Sequence, residues 1–284
     1  MSGDDPAPAG TVERVLAACP LPLREARALL AHCLGCERET LIAHPALAVD
    51  AAALACLEAA VARRTSGMPM AYLLGYQEFY GHRLQVTPGV LVPRPETELL
   101  VDTALGLLAP GPGARILELG TGSGAIAIAL ALARPGLRVV ASDRSPAALG
   151  VAQDNCRRLG AQVLLVLADW YTTLGEPPQP AALAGPFALI VSNPPYVRAD
   201  DPHLRDLAFE PRGALVDDAG DGLSGLDAVV SGAAARLAPG GHVLVEHGYD
   251  QGDAVRALMR ARGLGRVRTL QDLEGRDRAC VGGA

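Results

Sequence analysis

The chain contains no lysine, so all 25 of its basic residues are arginine. Alanine, glycine and proline are abundant alongside, a coding bias that carries no function of its own. No long basic run occurs, and the net charge is −6. A protein built mainly to grip nucleic-acid phosphates needs a basic face, and nothing here supplies one. No stretch reaches the roughly 18 apolar residues of a membrane-spanning helix. Among the six cysteines, Cys33 and Cys36 form a single C-x-x-C inside a helical pattern. With no second pair at matched spacing, they lack the ligand set of a zinc site and are expected simply to face a core. The histidines have no metal-ligand spacing, and His242 and His247 flank a strand as structural residues. The opening MSGDDPAPAG is acidic and loop-like, unlike a secretory leader. These absences predict a metal-free protein of the reducing cytoplasm, with no membrane and no nucleic acid as partner.

What is present is apolar: half of the 284 residues, enough for a sizeable core in one large or two smaller domains. Residues 1–10 read as a disordered tail. Over residues 11–75 the pattern is helical. Leu54, Leu57 and Val61 share one helix face, as do Leu23, Arg27, Leu30 and Leu34. Breaks at Pro20, Pro22, Gly35 and Pro45 divide the stretch into about four helices. Residues 76–95 read as a hairpin linker turning at Gly81. Pro95 then suits the first turn of a helix, with Glu96 and Glu98 at its positive end. From Arg115 onward, strands (RILELG, RVVASD, QVLLVLAD, FALIVSN, GHVLVEHG) alternate with helices, and two weaker strands follow around Val267 and Cys280. Near-continuous apolar strands between helices predict an α/β fold, a Rossmann-like, mostly parallel seven-stranded sheet over residues 96–284. Ligands of such sheets bind beyond the carboxyl ends of the strands.

Every chemically pointed residue falls at such an end. The first strand runs into Gly120-Thr121-Gly122-Ser123-Gly124. Glycine allows positive φ and close approach of a ligand to backbone, although the same turn also serves a plain strand-to-helix connection. Its G-x-G-x-G spacing departs from the dinucleotide G-x-G-x-x-G, which disfavours a dehydrogenase. Asp143 ends the second strand, where a carboxylate accepts ribose hydroxyls or, with Ser145, caps the next helix. Asp169 and Trp170, the only tryptophan, end the third, suited to an adenine edge and face. The fourth gives IVSNPPYVR. Each proline fixes its own φ and restricts the residue before it, so Asn193-Pro194-Pro195-Tyr196 is a stiff, extended tetrapeptide.

The strand–GTGSG–helix, the acid after the second strand and NPPY after the fourth resemble the class I S-adenosylmethionine methyltransferases that act on planar nitrogens. The stretch SGMPMAYLLGYQEFYGHRLQVTPGVLVPRPETELLV (residues 66–101), with EPRGALVDDAGDGLSGLD and VEHGYDQG, resembles the HemK/PrmC family, the protein-(glutamine-N5) methyltransferases of peptide chain release factors. The resemblance implies a cofactor site at Gly120 to Gly124, Asp143, Asp169, Trp170 and Asn193, with S-adenosyl-L-methionine as cofactor. It implies a substrate site for the glutamine of a Gly-Gly-Gln motif at Asn193, Pro194, Pro195 and Tyr196, and a catalytic role for Asn193, Pro194 and Tyr196. The helical region, 11–75, would recognise the release factor, and the enzyme would work as a monomer.

A carboxamide nitrogen is a poor nucleophile because its lone pair is delocalised, so its methylation needs positioning more than acid–base help. Asn193 offers a side-chain acceptor and donor, and the Pro194 carbonyl a second acceptor. A nucleic-acid amino methyltransferase shares NPPY, because exocyclic base nitrogens are conjugated too, but usually adds a basic groove or a domain that flips a base. A non-catalytic module on the same fold is a further alternative. Glu96 and Glu98 are expected to cap a helix and tie the linker down, Arg94 to bridge domains, and Glu246 to lie near the site.

Overall fold

A computed structural model of the protein describes residues 10–109, 113–174 and 180–284. The expected tail lies outside these residues except for Gly10. The chain divides into two compact units, Met1–Tyr76 and Gln77–Ala284.

In the smaller unit β1 (Gly10–Thr11) pairs antiparallel with β2 (Ala48–Val49), around α1 (Val12–Ala18), α2 (Leu23–Leu34) and α3 (Arg38–Ala43). Then come α4 (Ala51–Thr65) and α5 (Met70–Leu74), a helix more than the proline and glycine breaks suggested, entered through Pro69. Leu29, Leu30, Leu41 and Leu57 fill the core, whereas Leu23, at the first position of α2, is 54% exposed. Glu25 accepts a two-pronged bond from Arg64, at 2.7 and 2.9 Å. Cys33 does more than face the core: it is joined to Cys56 of α4 by a disulfide, while Cys36 is free.

The larger unit opens within the hairpin of β3 (Tyr76–Phe79), of which only Tyr76 counts with the smaller unit, and β4 (His82–Gln85). Its two turn residues, Tyr80 and Gly81, both have positive φ, the geometry that matches strand twist. A 3₁₀ turn over Pro95–Thr97 leads into α6 (Glu98–Leu107). The remaining elements are β5 (Arg115–Leu119), α7 (Ala125–Ala133), β6 (Arg138–Asp143), α8 (Pro146–Leu159), β7 (Val163–Asp169), β8 (Thr172–Thr173), α9 (Pro180–Leu183) and β9 (Phe187–Ser192). After these come α10 (Arg212–Leu215), α11 (Ser224–Ala233), β10 (Leu237–Glu246), α12 (Gly252–Ala261), β11 (Gly265–Gln271) and β12 (Asp277–Gly283).

The sheet order is β11-β12-β10-β9-β5-β6-β7-β8. The strands from β10 through β9, β5 and β6 to β7 run parallel, and β12, β11 and β8 are antiparallel to their neighbours. The fold is thus the expected Rossmann-like one, with an eighth strand of two residues. It exists because Trp170 takes a φ of +50° and folds the chain back on β7. Alternate residues of each parallel strand go to opposite faces. Ile116, Val139 and Leu189 pack with α6 and α7, and Leu117, Val140 and Ile190 with α11 and α12.

Asn155 ties the hairpin to this frame. It is fully buried on α8, and its Nδ2 donates to the carbonyls of Gln85 and Ser123, each at 2.9 Å. Its Oδ1 accepts from the Gln85 N–H at 2.7 Å and from Arg158 at 2.9 Å. Replacement by leucine keeps the volume but strands the Ser123 carbonyl in a buried place and removes the part-buried bonds to Gln85, where a lost buried partner costs about 1–3 kcal/mol. Asn155→Leu is therefore expected to lower unfolding stability by about 2–4 kcal/mol, read from urea denaturation. A change below about 0.5 kcal/mol, the size of an ordinary surface substitution, would show that the clamp holds nothing.

Candidate active site

The chain leaves β5 for β6 on one side and reaches β9 on the other, so the carboxyl end of β5 is the switch point of the sheet. In register, Leu119 faces Ser142 and Ser192. The residues that follow these three, Gly120, Asp143 and Asn193, therefore meet at one edge. They line a cavity of about 240 Å³ with Gly122, Asp169, Trp170 and Pro195. Of the other residues expected in the site, Thr121, Ser123 and Gly124 of the glycine turn and Pro194 and Tyr196 of the NPPY turn adjoin the lining residues in sequence without lining the cavity themselves.

The glycines divide by role. Gly120 and Gly122 have φ of +71° and +56°, and a Cβ on either would project into open space. Gly124 has φ of +86°, and its Cβ would come 2.9 Å from Ile128 and 3.3 Å from Ala152. The first two bare the backbone toward the cavity, and the third lets α7 and α8 close up. Asp143 accepts the Gly122 N–H through one carboxylate oxygen and the Ser145 N–H through the other, both at 2.9 Å. Burial raises its pKa, and those N–H groups oppose the rise. The helix cap itself is Ser145, which accepts from the Ala148 N–H at 3.2 Å. Each Asp143 oxygen thus keeps a lone pair for a ligand. Trp170, half-buried and held at positive φ, packs close to Gly225 at the start of α11. Asp169 is exposed.

Beneath the glycine turn lies Glu118, only 2% exposed. Its Oε2 accepts from the Thr121 hydroxyl at 2.7 Å and the Ala127 N–H at 3.0 Å. Burial nevertheless pushes its pKa up to about 8.

The NPPY turn is held from behind. The Tyr196 hydroxyl donates to Glu246 Oε1 at 3.0 Å, and the Thr97 hydroxyl to Oε2 at 2.7 Å. The Asn193 Nδ2 donates in turn to Thr97 at 3.2 Å. Burial raises the pKa of Glu246, against the bonds from Thr97 and Tyr196 and the positive charge of Arg278. Burial, with the Glu246 charge, raises that of Tyr196 as well and keeps it a phenol. Gln251, from the VEHGYDQG stretch, donates to the backbone carbonyls of Tyr196 and Gly222 at 3.1 and 3.0 Å. Gly222 has to be glycine: a Cβ there would sit 2.5 Å from the Tyr196 carbonyl oxygen.

The cavity walls have their own clasp. Glu210, on the segment entering α10, accepts from the Val92 N–H at 2.9 Å and pairs with Arg94. It thereby joins the wall of residues 89–91, through the adjoining Val92, to the 211–216 wall. Arg94, expected to bridge domains, is committed to this partner within the larger unit. Glu98 receives the Tyr80 N–H at 2.7 Å and so ties the hairpin down. Asp217 accepts from the Ser224 and Gly225 N–H groups at 2.8 and 3.3 Å, capping α11. Thr97, Glu118, Glu210 and Asp217 did not stand out in the sequence. The available signal was the position of three of them inside motifs singled out for other residues.

Residues 11–75 match the model described as PrmC N-terminal domain, and residues 99–184 that described as Precorrin methyltransferase domain. The chain is similar to the release factor glutamine methyltransferase of Bordetella pertussis, with 50% identity over 92% of this chain and 95% of that protein. It is similar to the one from Burkholderia pseudomallei at 46% identity over 99% of both chains. Among solved structures, a methyltransferase from Pyrococcus furiosus shares the fold at 19% identity and a TM-score of 0.53, covering 78% of this chain and 96% of that one.

Glu118 makes a pH-dependent prediction. Its pKa is about 8 in the folded chain against an ordinary 4.5. Between these values the folded state retains a proton that the unfolded chain has released. Stability therefore falls as pH rises through this window, by at most about 1.4 kcal/mol per pH unit. Without ligand, the urea midpoint of the wild-type chain is expected to decline between pH 5 and 8 more steeply than that of Glu118→Gln. Parallel curves would mean that Glu118 is ionised throughout.

Proposed function

The chain belongs to the release factor glutamine methyltransferases, and from that premise we infer how its cavity serves the reaction. It is an enzyme that transfers a methyl group from S-adenosyl-L-methionine to the glutamine side-chain amide nitrogen, N5, of peptide chain release factors. We propose the Gly-Gly-Gln motif as the place of that glutamine. We further propose the helical region as the part that recognises the factor, the monomer as the working form, and the cytoplasm as its place. A net charge of −6 supports a protein substrate over a nucleic acid. No helix among the described residues is long and apolar enough to cross a membrane.

The cavity fits the cofactor. Gly120 and Gly122 leave open space where side chains would stand, which suits the methionine portion. Asp143 has lone pairs left for ribose hydroxyls, and the Trp170 ring and Asp169 suit an adenine. Thr121, Ser123 and Gly124 act through the shape of the turn. When bound, S-adenosylmethionine supplies a methyl carbon on a positively charged sulfur that departs as a neutral thioether.

The chain's own residues orient the acceptor. Asn193 Oδ1 takes one N–H of the target amide, and the free Nδ2 hydrogen meets the target carbonyl. The Pro194 carbonyl, which accepts no bond among the described residues, takes the second N–H. Two acceptors on one nitrogen aim its lone pair and favour pyramidalisation toward the methyl carbon. Pro195 completes the wall, and Tyr196, bonded to Glu246, keeps the turn rigid. Asn193 and Pro194 would thus hold the nitrogen toward the donor's methyl group, and the proton that the methylated nitrogen must lose would pass to water. No general base is required.

The observation that carries this reading is the meeting of Asn193 with Gly120, Asp143 and Trp170 in a single cavity. The test is incubation with methyl-labelled S-adenosylmethionine and a release factor, its Gln→Ala variant in the Gly-Gly-Gln loop, and total RNA and DNA in parallel. Label is expected on the native factor alone. Label on nucleic acid alone would replace this reading by a base-amine methyltransferase. Asn193→Ala is expected to lower kcat by roughly 100-fold or more, the scale of a misplaced reacting group. Near-normal turnover would sink the assignment.

A further inference from the structure

The hydroxyl of Thr97 stands between two groups of fixed polarity. Glu246 Oε2 lies 2.7 Å away and Asn193 Nδ2 3.2 Å. A hydroxyl has one proton to give and an amide nitrogen only donates, while Glu246, given hydrogen bonds by the Thr97 and Tyr196 hydroxyls and faced by Arg278, is favoured by them as the carboxylate that only accepts. The Thr97 proton therefore goes to Glu246, and its oxygen receives the Asn193 N–H. The second Glu246 oxygen is filled by the Tyr196 phenol at 3.0 Å. Thr97 is 3% exposed and Glu246 1%, so water does not compete for these bonds. Arg278 supplies the positive charge facing Glu246, and Glu96 the negative one. The chain of bonds ends at Asn193, whose Oδ1 accepts from no described residue and which lines the cavity.

This polarity decides which end of the Asn193 amide faces a substrate. With the oxygen outward, the site offers an acceptor to an incoming N–H and repels a carboxylate oxygen. With the amide reversed, the site would offer two N–H donors and welcome a carboxylate. We propose that Thr97 and Glu246 are positioning residues that hold the Asn193 oxygen toward the target nitrogen and so set the selectivity for a carboxamide over a carboxylate. The proposal rests on the glutamine reading above.

Thr97→Val keeps the shape and removes the hydroxyl, and Thr97→Ser keeps the hydroxyl. Measured with the full enzyme and a release factor, Thr97→Val is expected to lower kcat roughly 30-fold or more, by the sensitivity of such reactions to geometry. The KM for S-adenosylmethionine should change by less than about twofold, since binding of the donor is not what the hydroxyl serves. Thr97→Ser should recover most of the loss. The decisive readout is inhibition by two unreactive factors carrying Gln→Glu or Gln→Ala at the target. For the wild-type enzyme the Glu factor should bind more weakly than the Ala factor, and in Thr97→Val the gap should close. A general loss of structure would not move that ratio. Should Thr97→Val fail to fold, Glu246→Gln, which places an N–H donor among the hydroxyls, is expected to give the same two changes. Native kcat and an unchanged ratio in the variants would overturn the proposal while leaving the glutamine reading intact. A wild-type enzyme that labels no release factor would overturn both.

Discussion

One register governs the active site. Leu119 of β5 lies between Ser142 of β6 and Ser192 of β9, and the Ser192 hydroxyl donates to the Leu119 carbonyl at 2.8 Å. Through this alignment the glycine turn, Asp143 and Asn193 emerge side by side. A one-residue slip of any of the three strands would turn its side chains to the opposite face. It would bury apolar groups wrongly and remove one wall of the cavity at once. The cores above and below the sheet therefore enforce the geometry of the site. Because the flanking strands are reached in opposite directions from β5, the connections diverge and leave the crevice open.

Within that frame, buried carboxylates do the fine alignment. Glu118 sets the glycine turn through Thr121 and Ala127, Glu210 clasps two cavity walls, and Glu246 holds two side chains tied to the NPPY turn. Each is costly to bury, and removing one partner from such a group leaves a charge or a donor stranded. The raised pKa values of Glu118 and Glu246 are the mark of that cost. Rigid backbone assists from the other side. The prolines of NPPY fix the turn, Gly222 lets α11 approach it, and Gln251 locks its carbonyl.

Much of this was legible in the amino-acid sequence for local reasons. Apolar runs of strand length alternating with amphipathic helices fixed the layer order. A glycine-rich turn, an acid and NPPY, each closing a strand, marked the edge where they meet. What was not legible is what acts across long separations or through backbone strain. Thr97 and Glu246 are 149 residues apart in sequence, and Val92 and Glu210 118 apart. Neither pair has a periodicity to betray it. The short β8 depends on the left-handed conformation of Trp170, which a tryptophan seldom adopts. The Cys33–Cys56 link joins two helices whose mutual approach no helical pattern specifies.

The place of β12 sets a timetable for the site during synthesis. This strand, Asp277–Gly283, enters the sheet between β10 and β11, so β10 is flanked on one side by a segment made more than thirty residues after it begins. Glu246 is the last residue of β10 and faces Ala279, while the His247 N–H donates to the Arg278 carbonyl at 2.9 Å. The glycine turn and Asp143 can form early as the chain leaves the ribosome. The carboxylate behind Asn193 and Tyr196 gains its strand partner Ala279 and the facing charge of Arg278 only when β12 emerges. A nascent chain thus acquires the pocket floor first and the means of holding the acceptor last.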